Sequence, residues 1–256
     1  MTEPFVLKRD QILVLIAKDF KLKYNSTALG FAWSLIVPLL TSVIYYFVFG
    51  IMMRWDAKNY LLYLISGTFM WQFFANVVMM NGGVLMGNAS LLKKTSFDRG
   101  LLIWGTLFTE SIHFLLTIPV LIAVMLFYGV MPDFISLLPN VVASLFLLSL
   151  LAIGVSYVYA AINLYFRDLE RIMNVVMMMW MFVSPVFIPI SAIPEQYKWV
   201  LHYNPMAGIM GIWRDVFYEP GFHPETFLSL TLICLAVFVV GRYVFKSLEP
   251  RFAEMM

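Results

Sequence analysis

Six stretches of the chain, about residues 31–53, 60–85, 101–128, 135–166, 172–190 and 226–245, are apolar almost throughout. In hydrocarbon no water is at hand for backbone N–H and C=O groups, so a segment of this length must satisfy them within itself, as a helix does. The expected class is therefore an all-α membrane protein with six transmembrane helices. Composition agrees: 62% of the 256 residues are hydrophobic and 12% charged, more apolar surface than a water-soluble domain of this size can bury. The first apolar run, residues 12–16, is short and is followed by Lys18 and Asp19, so no cleavable signal is expected. The single Cys234 excludes an internal disulfide or a cysteine-built metal site.

Charge supplies the orientation. An even number of crossings leaves both termini on one side, and if that side is cytoplasmic the inner segments hold 13 of the 17 Lys/Arg. Only Arg54, Lys58, Lys198 and Arg214 then fall outside, as the positive-inside rule requires. Residues 1–28 read as an N-terminal interface helix. Lys8, Arg9, Lys18, Lys21 and Lys23 surround a stripe of Leu13, Ile16, Ala17, Phe20 and Tyr24, while Leu15 and Leu22 point elsewhere and offer a second contact surface. The inner segment 88–100 is long enough for a short amphipathic helix carrying Leu91 and Leu92; it is either a contact for something cytoplasmic or a solvated basic turn.

After the fifth stretch the hydrophobicity breaks without ending. Pro185, Pro189 and Pro194 rule out one long regular helix, because each lacks the backbone N–H and crowds the carbonyl four residues back. Two short helices are expected, one from Pro194 to about His202 and one capped by Asn204, opened by Pro205 and ending at Tyr218. The second reaches roughly 21 Å at 1.5 Å per residue, short of a ~30 Å hydrocarbon core. Residues 191–221 thus read as a re-entrant hairpin of two short helices on the outer side. Irregular backbone at such depth must be surrounded by protein or line a watery cavity, which makes the hairpin the lining or lid of a pathway.

Catalytic and cofactor motifs do not appear. No Gly-x-x-x-x-Gly-Lys-Ser/Thr, Gly-x-Ser-x-Gly or His-Glu-x-x-His occurs, so no catalytic residue is assigned and any ATP would be bound by another subunit. Glu110 and His113 stand on one helix face, as in one helix of a carboxylate-bridged metal centre. A second such pair is missing, so no metal is assigned; the alternative is a hydrogen-bonded pair inside the bundle. Gly83 and Gly87 form a Gly-x-x-x-Gly, a signal for close helix packing. Aromatic residues are abundant in mid-span, among them Tyr45, Tyr46, Phe49, Trp71, Phe74, Trp180 and Phe187. Ring faces stack on the C–H faces of sugars, which suits the path of a long, uncharged, hydroxyl-rich polymer; ordinary lipid-facing or helix-packing aromatics are the alternative.

Several motifs carry a resemblance. The run Lys18 to Tyr24 leading into Leu29-Gly30-Phe31-Ala32-Trp33 and Pro38, then Phe166-Arg167-Asp168-Leu169, Ser184-Pro185-Val186-Phe187, and Asn204-Pro205-Met206 with Trp213-Arg214-Asp215, resembles the ABC-2 type export permeases in order and spacing. The likeness is greatest to the transmembrane subunits of O-antigen and teichoic-acid exporters. Lys21 and Lys23 stand where such chains carry arginines, and Asn25-Ser26 replaces a pair of small residues. The resemblance implies one ABC-2 transmembrane domain over residues 1–256, a homodimer enclosing a channel in the cell inner membrane. It implies two copies of a cytoplasmic ATPase subunit holding ATP and Mg, a polyprenyl-diphosphate-linked polysaccharide as cargo, and no nucleic-acid partner. It implies that Lys18, Lys21, Lys23, Arg167 and Arg171 meet the lipid diphosphate, and that Leu91, Leu92, Lys93, Lys94 and Phe97 of segment 88–100 couple to the ATPase. Pro194, Trp199, Asn204, Pro205 and Trp213 would belong to an external gate, residues 191–221. Rival readings are an ABC-2 permease for another amphiphile or drug, a membrane-embedded glycosyltransferase and an ion-coupled secondary transporter. A transferase needs an acidic catalytic loop and offers only Asp98; an ion-coupled carrier needs several intramembrane carboxylates and offers only Glu110.

Overall fold

A computed structural model describes residues 3–24, 32–54, 59–89, 97–131, 134–218 and 221–255. Among them every regular element is helical. The chain runs through α1 (Glu3–Tyr24), α2 (Trp33–Tyr45) continued as a π-helix over Tyr46–Met52, α3 (Tyr60–Gly82), the short α4 (Val84–Gly87), α5 (Gly100–Leu115) and α6 (Ile118–Phe127). It continues with α7 (Phe134–Asn163), α8 (Leu169–Val183), α9 (Lys198–Tyr203), α10 (Pro205–Asp215), α11 (Pro224–Leu248) and α12 (Phe252–Met255).

Among the described residues five helical paths are long and apolar enough to cross a membrane: Trp33–Met52, Tyr60–Gly82, Gly100–Phe127, Leu137–Asn163 and Pro224–Arg251. The fifth stretch, residues 172–190, is not helical throughout, as its prolines lead one to expect. Its helix ends at Val183 after 15 residues, and Ser184 is extended at φ −93°, ψ 150°. Pro185 is the cause, since its ring disfavours helical geometry in the residue before it. Proline also divides the third path. Pro119 removes the N–H that would reach Leu115 and crowds that carbonyl, so the helix restarts as α6 at Ile118.

Helix α3 is the centre, with 78% of its most apolar window buried against 11% for Trp33–Met52 and 17% for Pro224–Arg251. Leu62, Leu64, Phe69, Phe74, Val77 and Val78 are all buried, so its apolar surface runs all round, the mark of a helix enclosed by others. It touches α2, α5, α7, α8 and α10. Polar side chains fix its register on α7: Asn81 Nδ2 donates to Ser156 Oγ at 3.3 Å and Asn163 Nδ2 to the Gly82 carbonyl at 2.9 Å.

The longest helix pairing is α7 against α11. It depends on two glycines, because a Cβ on Gly154 would lie 2.8 Å from the Phe238 nitrogen and one on Gly241 would strike the Gly154 carbonyl. Without a hydrophobic drive between helices in lipid, such backbone approach is what packing requires. At Gly83 and Gly87, the Gly-x-x-x-Gly of the sequence, a Cβ would meet nothing within 4 Å, so that signal did not report a packed helix crossing.

The first helix packs along α5 rather than standing apart. Leu15, off the expected stripe, is the buried residue and faces Gly105 at 3.2 Å from its would-be Cβ, while Leu13 on the stripe is exposed. Phe20 meets the ring of His113 edge-on at 5.0 Å. Glu110 accepts a bond from Asn76 at 2.9 Å and lies 3.3 Å from His113 Nδ1, the hydrogen-bonded reading of that pair. At the far end Arg99 donates to the Glu249 carbonyl at 2.6 Å, tying the C-terminal turn to the start of α5.

Candidate functional site

Where α8 breaks, residues 184–189 expose carbonyls that no helix satisfies, and an apolar surrounding makes each unpaired group costly. The structure answers with side chains from two other elements. Tyr60 Oη donates to the Phe187 carbonyl at 2.9 Å, and Tyr63 Oη reaches the Pro185 carbonyl at 2.9 Å and that of Ile188 at 3.1 Å. One hydroxyl proton is shared between those two acceptors. Arg214, at the end of α10, donates through Nη1 to the Pro185 carbonyl and through Nη2 to the carbonyls of Tyr63 at 3.1 Å and Val186 at 3.3 Å. Its guanidinium carbon lies 3.4 Å from the centre of the Tyr63 ring, a cation–π contact.

Arg214 is only 7% exposed, and its charge is met by carbonyl dipoles and a ring face. A planar fork of donors suits several acceptors at fixed angles, which an ammonium does not. The space is made by Gly67, whose Cβ would lie 2.5 Å from Arg214 Nη2 and 3.0 Å from the Val186 carbonyl. Tyr218 completes the corner by donating to the Asn59 carbonyl at 3.3 Å.

The other end of α10 is fastened by Asn204. Its Oδ1 accepts from the Met206 N–H at 3.1 Å, the N-cap bond expected from sequence, and from Trp180 Nε1 at 3.0 Å. Its Nδ2 donates to Ser184 Oγ at 3.0 Å. Both ends of one short helix are therefore bonded to the broken end of α8. The helix itself is shorter than expected: Pro205–Asp215, with residues 216–218 in a turn, and its predecessor starts as a 3-10 turn at Glu195–Tyr197 before Lys198–Tyr203.

The remaining gate residues divide. Trp213 is buried between Phe114 at 5.4 Å and Phe217 at 5.5 Å, Pro205 is half-buried at the first turn of α10, and Pro194 and Trp199 are exposed. The aromatic candidates form three groups. Phe187 stands 4.4 Å from Tyr45 and 5.7 Å from Phe49; Trp180 stands 5.0 Å from Phe74 and 6.5 Å from Trp71; Tyr46 stands 6.2 Å from Tyr60. Trp71, Phe74 and Phe187 are buried within the protomer, whereas Tyr45, Tyr46, Phe49 and Trp180 keep part of their surface open.

Among the basic candidates, Lys18 is half-buried and donates to Asn88 Oδ1 at 2.5 Å, and Lys21 is exposed on the same helix. The side chain of Lys23 lies outside the described residues. Arg167 and Arg171 are exposed at the start of α8. Leu91, Leu92, Lys93 and Lys94 also lie outside the described residues, while Phe97 packs half-buried against the core.

Sequence reasoning counted Arg214 as an outer charge and as part of the Trp213-Arg214-Asp215 motif, gave it no partner, and passed over Tyr60, Tyr63 and Gly67. The available signal was an arginine inside an otherwise apolar short helix, since an ionisable group at that depth needs a partner.

Comparison with known proteins extends the picture over the chain. O-antigen export system permease protein RfbA of Klebsiella pneumoniae is 35% identical over 247 residues, 96% of this chain and 95% of that one. The protein of the same name in Myxococcus xanthus is 28% identical over 249 residues, with coverage of 96% and 95%. The polysialic acid transport protein KpsM of Escherichia coli is 21% identical over 256 residues, with 96% of each chain covered. Residues 10–218 match the ABC-2 type transporter family, a range that takes in most of α1, every aromatic candidate and the whole Arg214–Asn204 corner. With that match over most of its length, the chain belongs to the ABC-2 type transporter family of membrane proteins.

Proposed function

We propose that this chain is the channel-forming transmembrane subunit of an ATP-driven exporter that moves polyprenyl-diphosphate-linked polysaccharide, of O-antigen type, outward across the cytoplasmic membrane. The observation that carries this reading is the end-to-end likeness to O-antigen export permeases, which extends over 95% of the relative's length. A transport role without chemistry of its own is in keeping with the absence of a phosphate-cradling motif from the sequence. ATP and Mg belong, in this proposal, to two copies of a cytoplasmic ATPase subunit docked on segment 88–100, where Phe97 anchors the segment to the core.

Six crossings result if α8 counts as one. Its 15 residues span about 22 Å, and the turn and bend over residues 184–189 supply the rest of the path toward the far side of a ~30 Å core. The hydrogen bonds from Tyr60, Tyr63 and Arg214 are what such a non-helical stretch needs at membrane depth. Helices α9 and α10 then dip in from outside as the gate, with both termini cytoplasmic under the positive-inside count. Two copies enclose the channel. Tyr45, Tyr46, Phe49 and Trp180 supply its ring faces, while the buried Trp71, Phe74 and Phe187 support them from behind. Lys18, Lys21, Lys23, Arg167 and Arg171 receive the lipid diphosphate on the inner side.

The test pairs two readouts. The chain purified alone should hydrolyse no ATP, and hydrolysis should appear only with the ATPase subunit. In the complex, Tyr45→Ala and Trp180→Ala should lower the polysaccharide reaching the cell surface while leaving ATP hydrolysis largely intact. Turnover by the lone chain, or full surface polysaccharide in both variants, overturns the assignment.

A further inference from the structure

A cavity of about 550 Å³ lies away from the aromatic groups, between α9, α10 and α11. One face of α10 forms a wall through Ala207, Gly208, Gly211 and Asp215, and α11 forms the opposite wall through His223, Thr226, Leu230 and Ile233. These positions recur at helical spacing, so the trough runs along both helices. It is open at Gly211, where a Cβ would have nothing within 4 Å, and closed at Gly208 by Leu230. The volume falls in the range of small-molecule sites.

The trough has a polar and an apolar end. Helices α10 and α11 run antiparallel, with Gly208 against Leu230 at mid-length, so Asp215 at the end of α10 lies toward His223 at the start of α11. Lys198, the first residue of α9, joins the lining. Leu201, Leu230 and Ile233 lie toward the Asn204 turn and are apolar. Charges of both signs therefore share a cavity that continues into hydrocarbon-like walls. Lys198 is bonded to the exposed Glu195 at 2.5 Å, a surface pair of the kind that contributes little and is readily exchanged for another acceptor.

We propose that this trough binds a zwitterionic aminophospholipid, with the phosphate taken by Lys198 and the N–H group of His223, the primary ammonium by Asp215, and an acyl chain laid over Leu230 and Ile233. A purely anionic headgroup would bring its charge against Asp215 without a cation to offset it. A choline headgroup carries the charge but no N–H to donate. A carboxylate has about four acceptor sites, so Asp215 adds the ammonium to bonds it already makes. Occupancy would brace α10, whose two ends hold the broken end of α8. The assignment concerns a lipid site outside the channel and stands whatever polymer is carried.

The test uses the full chain purified in detergent, with thermal unfolding followed as dioleoyl phosphatidylethanolamine, phosphatidylcholine or phosphatidylglycerol is added. Phosphatidylethanolamine should raise Tm by roughly 3–6 °C, as expected for a ligand at about tenfold its dissociation constant. The other two lipids should raise it by less than half as much. Gly211→Leu, whose Cβ has open space and whose side chain would occupy the trough, should abolish the difference among lipids, and Asp215→Asn should bring phosphatidylethanolamine down to the phosphatidylcholine response. Equal responses to the three lipids overturn the proposal, as does a larger response to phosphatidylglycerol, which would mark an anion site. A phosphatidylethanolamine preference that survives both variants overturns the location.

Discussion

Two junctions in this protein hold helices together by opposite means. At Gly154 and Gly241, α7 and α11 meet backbone to backbone, with one polar contact beside them, Arg242 Nη1 donating to Tyr157 Oη at 3.2 Å. At the end of α8 polar groups join the ring packing of Phe187: a buried arginine, two tyrosine hydroxyls and an asparagine hold a stretch that has left helical geometry. The first junction rests on dispersion, which is lost over less than an ångström of separation and permits one arrangement. The second rests on discrete bonds with spare acceptors, since Tyr63 Oη already has two carbonyls within reach. A scaffold needs the former, and a part meant to rearrange needs the latter.

That contrast can be broken most directly at Arg214. Replacing it with Ala removes the guanidinium from the carbonyls of Tyr63, Pro185 and Val186 and should cost about 3–5 kcal/mol, the scale of a broken buried charge network. In thermal unfolding this is a loss of roughly 10 °C for a chain of this length. Arg214→Lys should recover only part of it, because an ammonium cannot span the three acceptors in one plane. Wild-type Tm in Arg214→Ala would remove the polar junction from the comparison.

The packed junction should respond somewhat less. Gly241→Ala forces α7 and α11 apart and should cost about 1–3 kcal/mol, the range for overpacking. Gly87→Ala is the control, since its Cβ meets open space and Ala is the better helix former by about 1 kcal/mol. If the two alanines have the same effect on Tm, close approach is not what holds α11.

The smallest effect sharpens the polar side. Asn204→Ala removes the cap of α10 and should cost about 1–2 kcal/mol. Asn204→Ser keeps a capping oxygen but not the reach to Ser184, so its Tm should fall between the two. Quenching of Trp180 fluorescence by a soluble quencher should rise in Asn204→Ala, because the indole N–H loses its acceptor. Unchanged quenching and Tm would mean that α10 is fastened by Arg214 alone.

How much of this was legible beforehand varied by element. Local chemistry was readable: Asn204 before Pro205 announced a helix start, and Pro185 announced a helix end. Boundaries slipped where neighbours decided them, as at residues 216–218, which turn instead of continuing α10 so that Tyr218 can reach Asn59. On α1 the second contact surface expected from Leu15 is the one that packs, and the stripe residue Leu13 is exposed. The sequence showed that Leu15 lay off the apolar stripe, and only the packing showed that its partner is the gap on α5 that Gly105 leaves. A Gly-x-x-x-Gly spacing pointed to Gly83 and Gly87, yet the close crossing formed at Gly154 and Gly241, which lie on different helices and share no motif.

By itself the sequence determined that the chain is helical, that apolar helices of membrane-crossing length fill most of it, and where the backbone must break. Those outcomes follow from each residue's own backbone chemistry and from the hydropathy of its near neighbours. Only the tertiary structure decided who satisfies the broken ends. Arg214 reaches the Tyr63 carbonyl across 151 residues of chain, and whether a buried guanidinium is a liability or a clamp depends on acceptors that no local pattern reveals.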